Sequence, residues 1–146
     1  MSGAWVTLPD LASRRAGGAV VWANDETFAE RENLITPAAP GFRPATFGHK
    51  GQVYDGWETR RRREPGDDHA IVRLGMPGVL RGVVVDTAFF TGNYPPACTV
   101  SAYAVTGYPD VDELHRSTCT GSTWSGVDHA RTTVRRVPAT SPTPGR

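Results

Sequence analysis

The chain has 146 residues, the size of one ordinary domain, and 38% of them are hydrophobic, enough to bury a core without staples. Sixteen Lys and Arg against fifteen Asp and Glu leave a formal net charge of +1, a balance that argues against a dedicated nucleic-acid binder. Sixteen glycines and twelve prolines interrupt helices too often for a bundle or a coiled coil, and favour short strands joined by turns.

The N-terminus, Met-Ser-Gly-Ala-Trp-Val-Thr-Leu-Pro-Asp, has no basic region followed by an apolar stretch of signal-peptide length. Apolar runs such as Val83-Val84-Val85 fall far short of the ~20 residues needed to span a bilayer. The expected location is the cytosol, with no membrane partner, and Cys98 and Cys119 are expected to be free thiols there. Asp10–Arg15 followed by Gly17-Gly18 reads as a helical turn or two with a glycine stop. Ala19–Ala23 is a short apolar strand ending on Asn24-Asp25-Glu26, and Thr27–Leu34 suits one more helical turn capped by an upstream Asn or Asp. Prolines and glycines mark 37–51 as loop. Three further strands are predicted, over Ala70–Leu74, over Gly82–Phe90 and over Thr99–Val105, the last alternating apolar with small or polar residues. Strands at this spacing with Gly/Pro loops suggest an all-β sandwich with short helical turns near its N-terminus.

Charge is uneven along the chain. Residues 1–116 carry twelve basic and fourteen acidic side chains, whereas 117–146 carry four arginines, one aspartate and eleven Ser or Thr. A segment of that composition buries little, so 117–146 is expected to be an irregular tail.

Four clusters could carry chemistry. In Tyr54-Asp55-Gly56-Trp57-Glu58-Thr59-Arg60-Arg61-Arg62-Arg63-Glu64, carboxylates stand beside guanidinium groups suited to bidentate recognition of a substrate carboxylate. The competing account is a solvated charge run, the usual fate of consecutive arginines. Asn24-Asp25-Glu26 at a strand end could reach a pocket or simply cap a helix. Asp86 within an apolar stretch needs a partner or a pocket, and Gly92-Asn93 in the loop after it suits either a turn or a site. Asp67-Asp68-His69 lacks metal-ligand spacing, so no metal site is assigned and any cofactor is unknown. Phosphate-loop, HExxH and GxSxG motifs are absent from the sequence.

Taken in order, these pieces resemble one family. Ala19–Glu26 with Asn33-Leu34, then Asp55-Gly56-Trp57-Glu58-Thr59-Arg60-Arg61, then Ile71–Gly75, then Val85–Asn93 and Pro96, are similar to the first repeat of the allantoicases, over roughly residues 8–115. The resemblance implies a jelly-roll β-sandwich of the galactose-binding-like type over 1–116. It implies hydrolysis of allantoate to ureidoglycolate and urea in allantoin breakdown. Chemistry then suggests Arg60 or Arg61 as the carboxylate anchor, and Glu58, Asp25 or Glu26 as base. Asp86 would serve as acid, Asn93 would bond a ureido carbonyl and Trp57 would stack on the substrate. The partner is a small molecule, with homo-oligomers an open option and no nucleic acid. The alternatives are a non-catalytic binding module, with Trp57, Tyr54 and Tyr94 stacking on a ligand, or an inactive allantoicase fragment. The composition break and the end of the resemblance coincide near Arg116, which raises the expectation of a frameshift or a truncated gene there.

Overall fold

Ala19–Ala23, with two consecutive valines and a tryptophan, is stiff, β-branched or aromatic for most of its length and forms strand β1. It pairs antiparallel with β4, His69–Arg73. The computed structural model describes residues 7–95, 97–119 and 130–136. Among these, β1, β4, β5 (Cys98–Ala104) and β6 (Ala130–Arg136) make one antiparallel sheet in the order β1-β4-β6-β5, and β2 (Phe47–Gly48) with β3 (Gly51–Gln52) makes a small ribbon. The 37–51 segment predicted as loop therefore contains half of a tight hairpin. Among the described residues one α-helix, α1, spans Val111–Cys119. Its start is marked by Asp110, whose carboxylate accepts the Glu113 N–H at 2.7 Å, with Asp112 and Glu113 in the first turn and Arg116 in the last, the signs that suit the helix dipole.

The two N-terminal turns form as the sequence predicts, but as 3-10 rather than α turns. Arg14–Ala16 is stopped by Gly17 in the left-handed region (φ 90°), where glycine carries no Cβ penalty. Arg31–Ile35 is not capped by Asn or Asp; the Glu26 carboxylate reaches the Arg31 N–H at 2.7 Å instead.

Two expectations are corrected. Gly82–Phe90 is not a strand. Asp86 accepts the Ala88 N–H, the Phe90 N–H bonds back to the Thr87 carbonyl and Phe89 takes φ 66°, so the extended run curls into a turn, and Val83–Val85 join no strand among the described residues. Conversely, part of the stretch expected to be an irregular tail is the strand β6, which pairs with β4 on one side and with all seven residues of β5 on the other. Composition hid it: Ser/Thr richness reads as polar, yet Thr132-Thr133-Val134 is a β-branched run suited to a strand.

The core gathers Val20, Ile35, Ala70 and Val72, with Ala12, Ala23 and Trp57 packed against it. A bulge shapes what lies on each side. Val20 faces Val72 while Trp22 faces Ile71, so Val21 is an extra residue in β1. Val20 and Ala23 thus join Val72 and Ala70 on the core side, and Trp22 is turned to the other face with Ile71 and His69. The first 3-10 turn docks on the end of β4 through backbone contact, the Gly75 N–H donating to the Leu11 carbonyl at 2.9 Å. A Cβ at Gly75 would overlap the Ala16 carbonyl. Gly75→Ala is accordingly expected to lower unfolding free energy by about 1–3 kcal/mol, against about 0.5 kcal/mol or less for Gly48→Ala, where an added methyl meets only ordinary contact; urea unfolding of both variants checks the difference.

Candidate functional site

A cleft of about 1070 Å³ opens on the core side of the sheet. Its floor includes Val72 and Leu74, its apolar walls include Phe28, Leu34, Val83 and Phe90, and its polar lining comes from 55–62 together with Asp86 and Asn93. The predicted residues Trp57, Glu58, Arg60, Arg61, Asp86 and Asn93 all line it. Asp25 and Glu26 do not.

An isolated bridge between Ala29 and Glu58 holds the 55–62 segment in place, with the Phe28 and Ala29 N–H groups donating to the Glu58 carbonyl at 3.2 and 3.0 Å. Trp57 is both wall and anchor: its ring packs on the core, and its Nε1–H donates to the Asp25 carbonyl oxygen at 2.7 Å. The Asn33 side-chain amide donates to the Gly56 carbonyl at 3.3 Å. Beside this segment Tyr54 packs on Phe90 (5.2 Å between centroids) and Phe42 on Phe89 (5.8 Å), joining the 87–93 loop to the 37–45 loop.

Glu58 and Asn93 meet directly, the Asn93 amide donating to Oε1 at 3.4 Å. Burial raises the Glu58 carboxyl above the ordinary glutamate range. A carboxyl so placed holds its proton more readily than an ordinary glutamate, a shift in the direction that suits a group that gives and takes protons. Asp86 is exposed at the rim, one oxygen engaged by the Ala88 N–H at 2.8 Å. Arg61 is exposed on the lining.

Asp25 is occupied elsewhere. Its carboxylate accepts the Thr27 N–H and hydroxyl at 3.0 Å each and the Arg60 N–H at 2.9 Å, with Arg60 Nε at 3.5 Å. Burial pushes this carboxyl up, but those hydrogen bonds and the Arg60 charge outweigh burial and hold it below the usual range. Glu26 is likewise committed to Arg31, through the N–H and, at 3.4 Å, the guanidinium. Both residues therefore sit outside the cleft lining with their oxygens spent on local structure.

Sequence reasoning weighed Asp67-Asp68-His69 as a metal or acid/base cluster against simple loop polarity, and missed that Asp68 fixes the arginine segment. Asp68 is buried, accepting the Asn24 side-chain amide and Arg62 Nη2 on Oδ1 (2.9 Å each) and the Thr59 hydroxyl on Oδ2 (2.9 Å). Arg62 Nη2 also donates to the Asp67 carbonyl at 3.1 Å. The Asn24 side-chain oxygen in turn accepts the His69 N–H at 2.8 Å. Burial opposes the charge on Asp68, yet the bonds from Asn24, Arg62 and Thr59 and the Arg62 charge prevail and hold its pKa low. The signal was present: an acid flanking a strand, with Thr and Arg of the same run available as donors. Among the described residues no group of three or more His, Cys, Asp and Glu is placed to hold a metal ion, and no helix is long and apolar enough to cross a membrane. Cys98 is a free thiol on the cleft lining, and the side chain of Cys119 lies outside the described residues.

Comparison with known proteins decides the family. The model of the allantoicase repeat matches residues 9–134. The chain belongs to the allantoicase family. The matched residues run past Arg116, where the reading of composition placed the break. A probable allantoicase of Nocardia farcinica is 69% identical over 108 residues, covering 73% of this chain and 33% of that protein. One of Streptomyces coelicolor is 54% identical over 115 residues, covering 72% and 31%. Among solved structures, an allantoicase matches with a TM-score of 0.52 at 36% identity, over 68% of this chain and 29% of that one. The allantoicase of Saccharomyces cerevisiae matches with a TM-score of 0.52 at 29% identity, over 88% and 38%. The chain thus spans about a third of the length of the curated allantoicases it matches.

Asp68 gives a stability prediction with a definite sign. Its lowered pKa contributes stability that is present above the unfolded value of about 3.9 and is lost as pH falls through the folded value. Asp68→Asn is expected to cost about 1.5–3 kcal/mol near neutral pH, the range for hydrogen bonds to a charged group. The gap from the unsubstituted chain should close as pH falls below about 4, read by urea unfolding across pH 2–7.

Proposed function

We propose that the cleft binds allantoate and belongs to the machinery that hydrolyses it to ureidoglycolate and urea. The observation that carries the reading is the convergence of a half-buried Glu58, its Asn93 partner and the arginines 60 and 61 on one cleft of a chain in the allantoicase family. Allantoate carries one carboxylate and two ureido arms on a single carbon. Water must attack that carbon, one carbon–nitrogen bond must break, and the departing urea must receive a proton.

Arg60 or Arg61 takes the carboxylate by its planar fork. Glu58, raised by burial, accepts the proton of the attacking water, and Asn93 orients it or bonds a ureido carbonyl. Asp86 at the rim is the candidate acid for the leaving urea. Trp57 forms the wall on which the substrate lies. Asp25, retained among the candidate residues from the sequence, is proposed to act through Arg60, which it holds by backbone and guanidinium, and Glu26 to act through the turn at Arg31.

The finer fold reading is a jelly-roll β-sandwich of the galactose-binding-like type. The antiparallel sheet and the allantoicase neighbours support it. Among the described residues, those lining the cleft fall within 1–116, which supports placing substrate recognition in that segment, with 117–146 contributing β6 to the sheet. A cytoplasmic location is part of the same proposal.

Urea release from allantoate by the purified chain tests the reading. Binding without turnover would mark a binding module or an inactive fragment, and neither binding nor turnover would overturn the assignment of the cleft. In a full-length relative, Glu58→Gln is expected to lower kcat at least about 10²-fold. Because burial raises the Glu58 pKa, the unsubstituted enzyme should lose activity on acidification at a higher pH than an ordinary glutamate would impose, and the substitution should erase that limb of the profile.

A further inference from the structure

Asp86 and Asn93 lie exposed on one loop, and the hydrogen bond from Asn93 to Glu58 is long, at 3.4 Å. One long bond between groups open to water does not hold a loop in place. Between the two residues the chain makes an unfavourable turn. The Phe90 N–H donates to the Thr87 carbonyl at 3.1 Å, which puts Ala88 and Phe89 at the turn's centre. Phe89 takes φ 66° at the third position, where glycine or asparagine is the usual occupant and a bulky side chain is an outlier. Such a conformation persists only where the surroundings overdetermine it, and such positions gather at functional sites.

The surroundings are a chain of four rings. Phe89 stacks on Phe42 (5.8 Å between centroids), Phe42 meets Tyr54 (6.2 Å) and Tyr54 stacks on Phe90 (5.2 Å), each within the range of a favourable aromatic pair. Phe90 also covers Gly56, where a Cβ would lie 2.5 Å from its Cε2 atom. Gly56 is not in the left-handed region, so the ring and not the backbone calls for glycine there. The Gly56 carbonyl is itself held by the Asn33 amide, two residues before Glu58. Phe42, Tyr54 and Phe89 do not line the cleft. Tyr54, read in the sequence as a ring that could stack on a ligand, stacks on Phe90 instead.

We propose that Phe89 and Phe90 are positioning residues that clamp the 86–93 loop to the 54–58 segment and so hold Asn93 against Glu58. The proposal rests on the reading of Glu58 and Asn93 as working groups of the cleft. Phe90 stands three residues before Asn93 and Gly56 two before Glu58, so their contact joins the two segments close to that pair. Phe89 adds the second point of attachment, on the 37–45 loop. Glycine or asparagine at 89 would ease the turn and release the loop from Phe42, which is the reason a phenylalanine stands in so strained a place.

NMR of the Asn93 side-chain amide in the full chain tests the clamp without substrate. Glu58→Gln should shift that amide signal in the otherwise unsubstituted chain. The response should be lost in Phe89→Asn, which suits the turn but lacks the ring, and in Gly56→Ala, which displaces the Phe90 ring. Phe89→Tyr, which keeps a ring, should retain it. An undiminished response in Phe89→Asn, or no response to Glu58→Gln at all, would overturn the proposal. Phe89 lies outside the core, so its variant decides should Gly56→Ala fail to fold. With allantoate, Phe89→Asn should lower kcat by up to about 10²-fold, the cost of a misplaced group, and Phe89→Tyr should not. An uncoupled variant with unchanged kcat would also overturn the positioning role. Because the amide signal needs no substrate, a chain that releases no urea counts against the allantoate reading and leaves the clamp to be judged by NMR.

Discussion

The buried carboxylate of Asp68 is the constraint on which the arrangement of the cleft depends. It binds the end of β1 through Asn24, whose side-chain oxygen in turn accepts the His69 N–H at the start of β4, and it binds the arginine segment through Thr59 and Arg62. A charge withdrawn from water is tolerable only when its oxygens are occupied by donors. Here four donor–acceptor contacts radiate from two adjacent residues, Asp68 and its partner Asn24. The cleft residues 57–61 are strung between this network and the bridge at Ala29 and Glu58, so their backbone is fixed at both ends.

That arrangement separates the carboxyl groups by environment. Asp25 and Asp68 are surrounded by donors and remain ionised, whereas Glu58 has one long contact and is dominated by burial. Carboxyl groups ten residues apart, Glu58 and Asp68, thus shift in opposite directions. Four consecutive arginines divide similarly: Arg60 leans on Asp25, Arg62 is held by Asp68, and Arg61 projects from the lining. The charge run is neither a uniform solvated face nor a uniform binding patch.

Much of this was legible in the residues. β1 was readable to the residue because Ala19–Ala23 is bounded by Gly18 and Asn24, and β4 and β5 were displaced by one position each. Six of eight candidate site residues converge on one cleft because strand-end and loop positions of a shared motif face the same way. The failures have physical causes. Gly82–Phe90 has strand composition but pairs with no strand among the described residues, and β-propensity expresses itself only on a paired, half-buried surface. β6 was hidden because its neighbours in sequence are polar while its neighbours in space are β4 and β5. Helix α1 was missed although Asp110 with Glu113 three residues later is a start signal of the capping kind. Asp25 and Glu26 stayed ambiguous between site and cap because Arg60 meets Asp25 only through the fold and Arg31 meets Glu26 only once the second turn forms, whereas Thr27 beside Asp25 was a local signal of its structural use.

The extra residue in β1 also constrains how the chain can vary. Side chains alternate across a strand with a period of two, and Val21 is the point where that alternation skips a beat. Upstream of it, β1 is phased to the core; downstream, it is phased so that Trp22 looks away from the core while Ala23 returns to it. Smoothing the bulge while keeping all five residues, so that they alternate regularly, would put Trp22 on the face of Val20 and drive the indole into the space beside Val72. The bulge thus decides which residues the two faces carry, and any change that regularises β1 without removing a residue exchanges side chains between them.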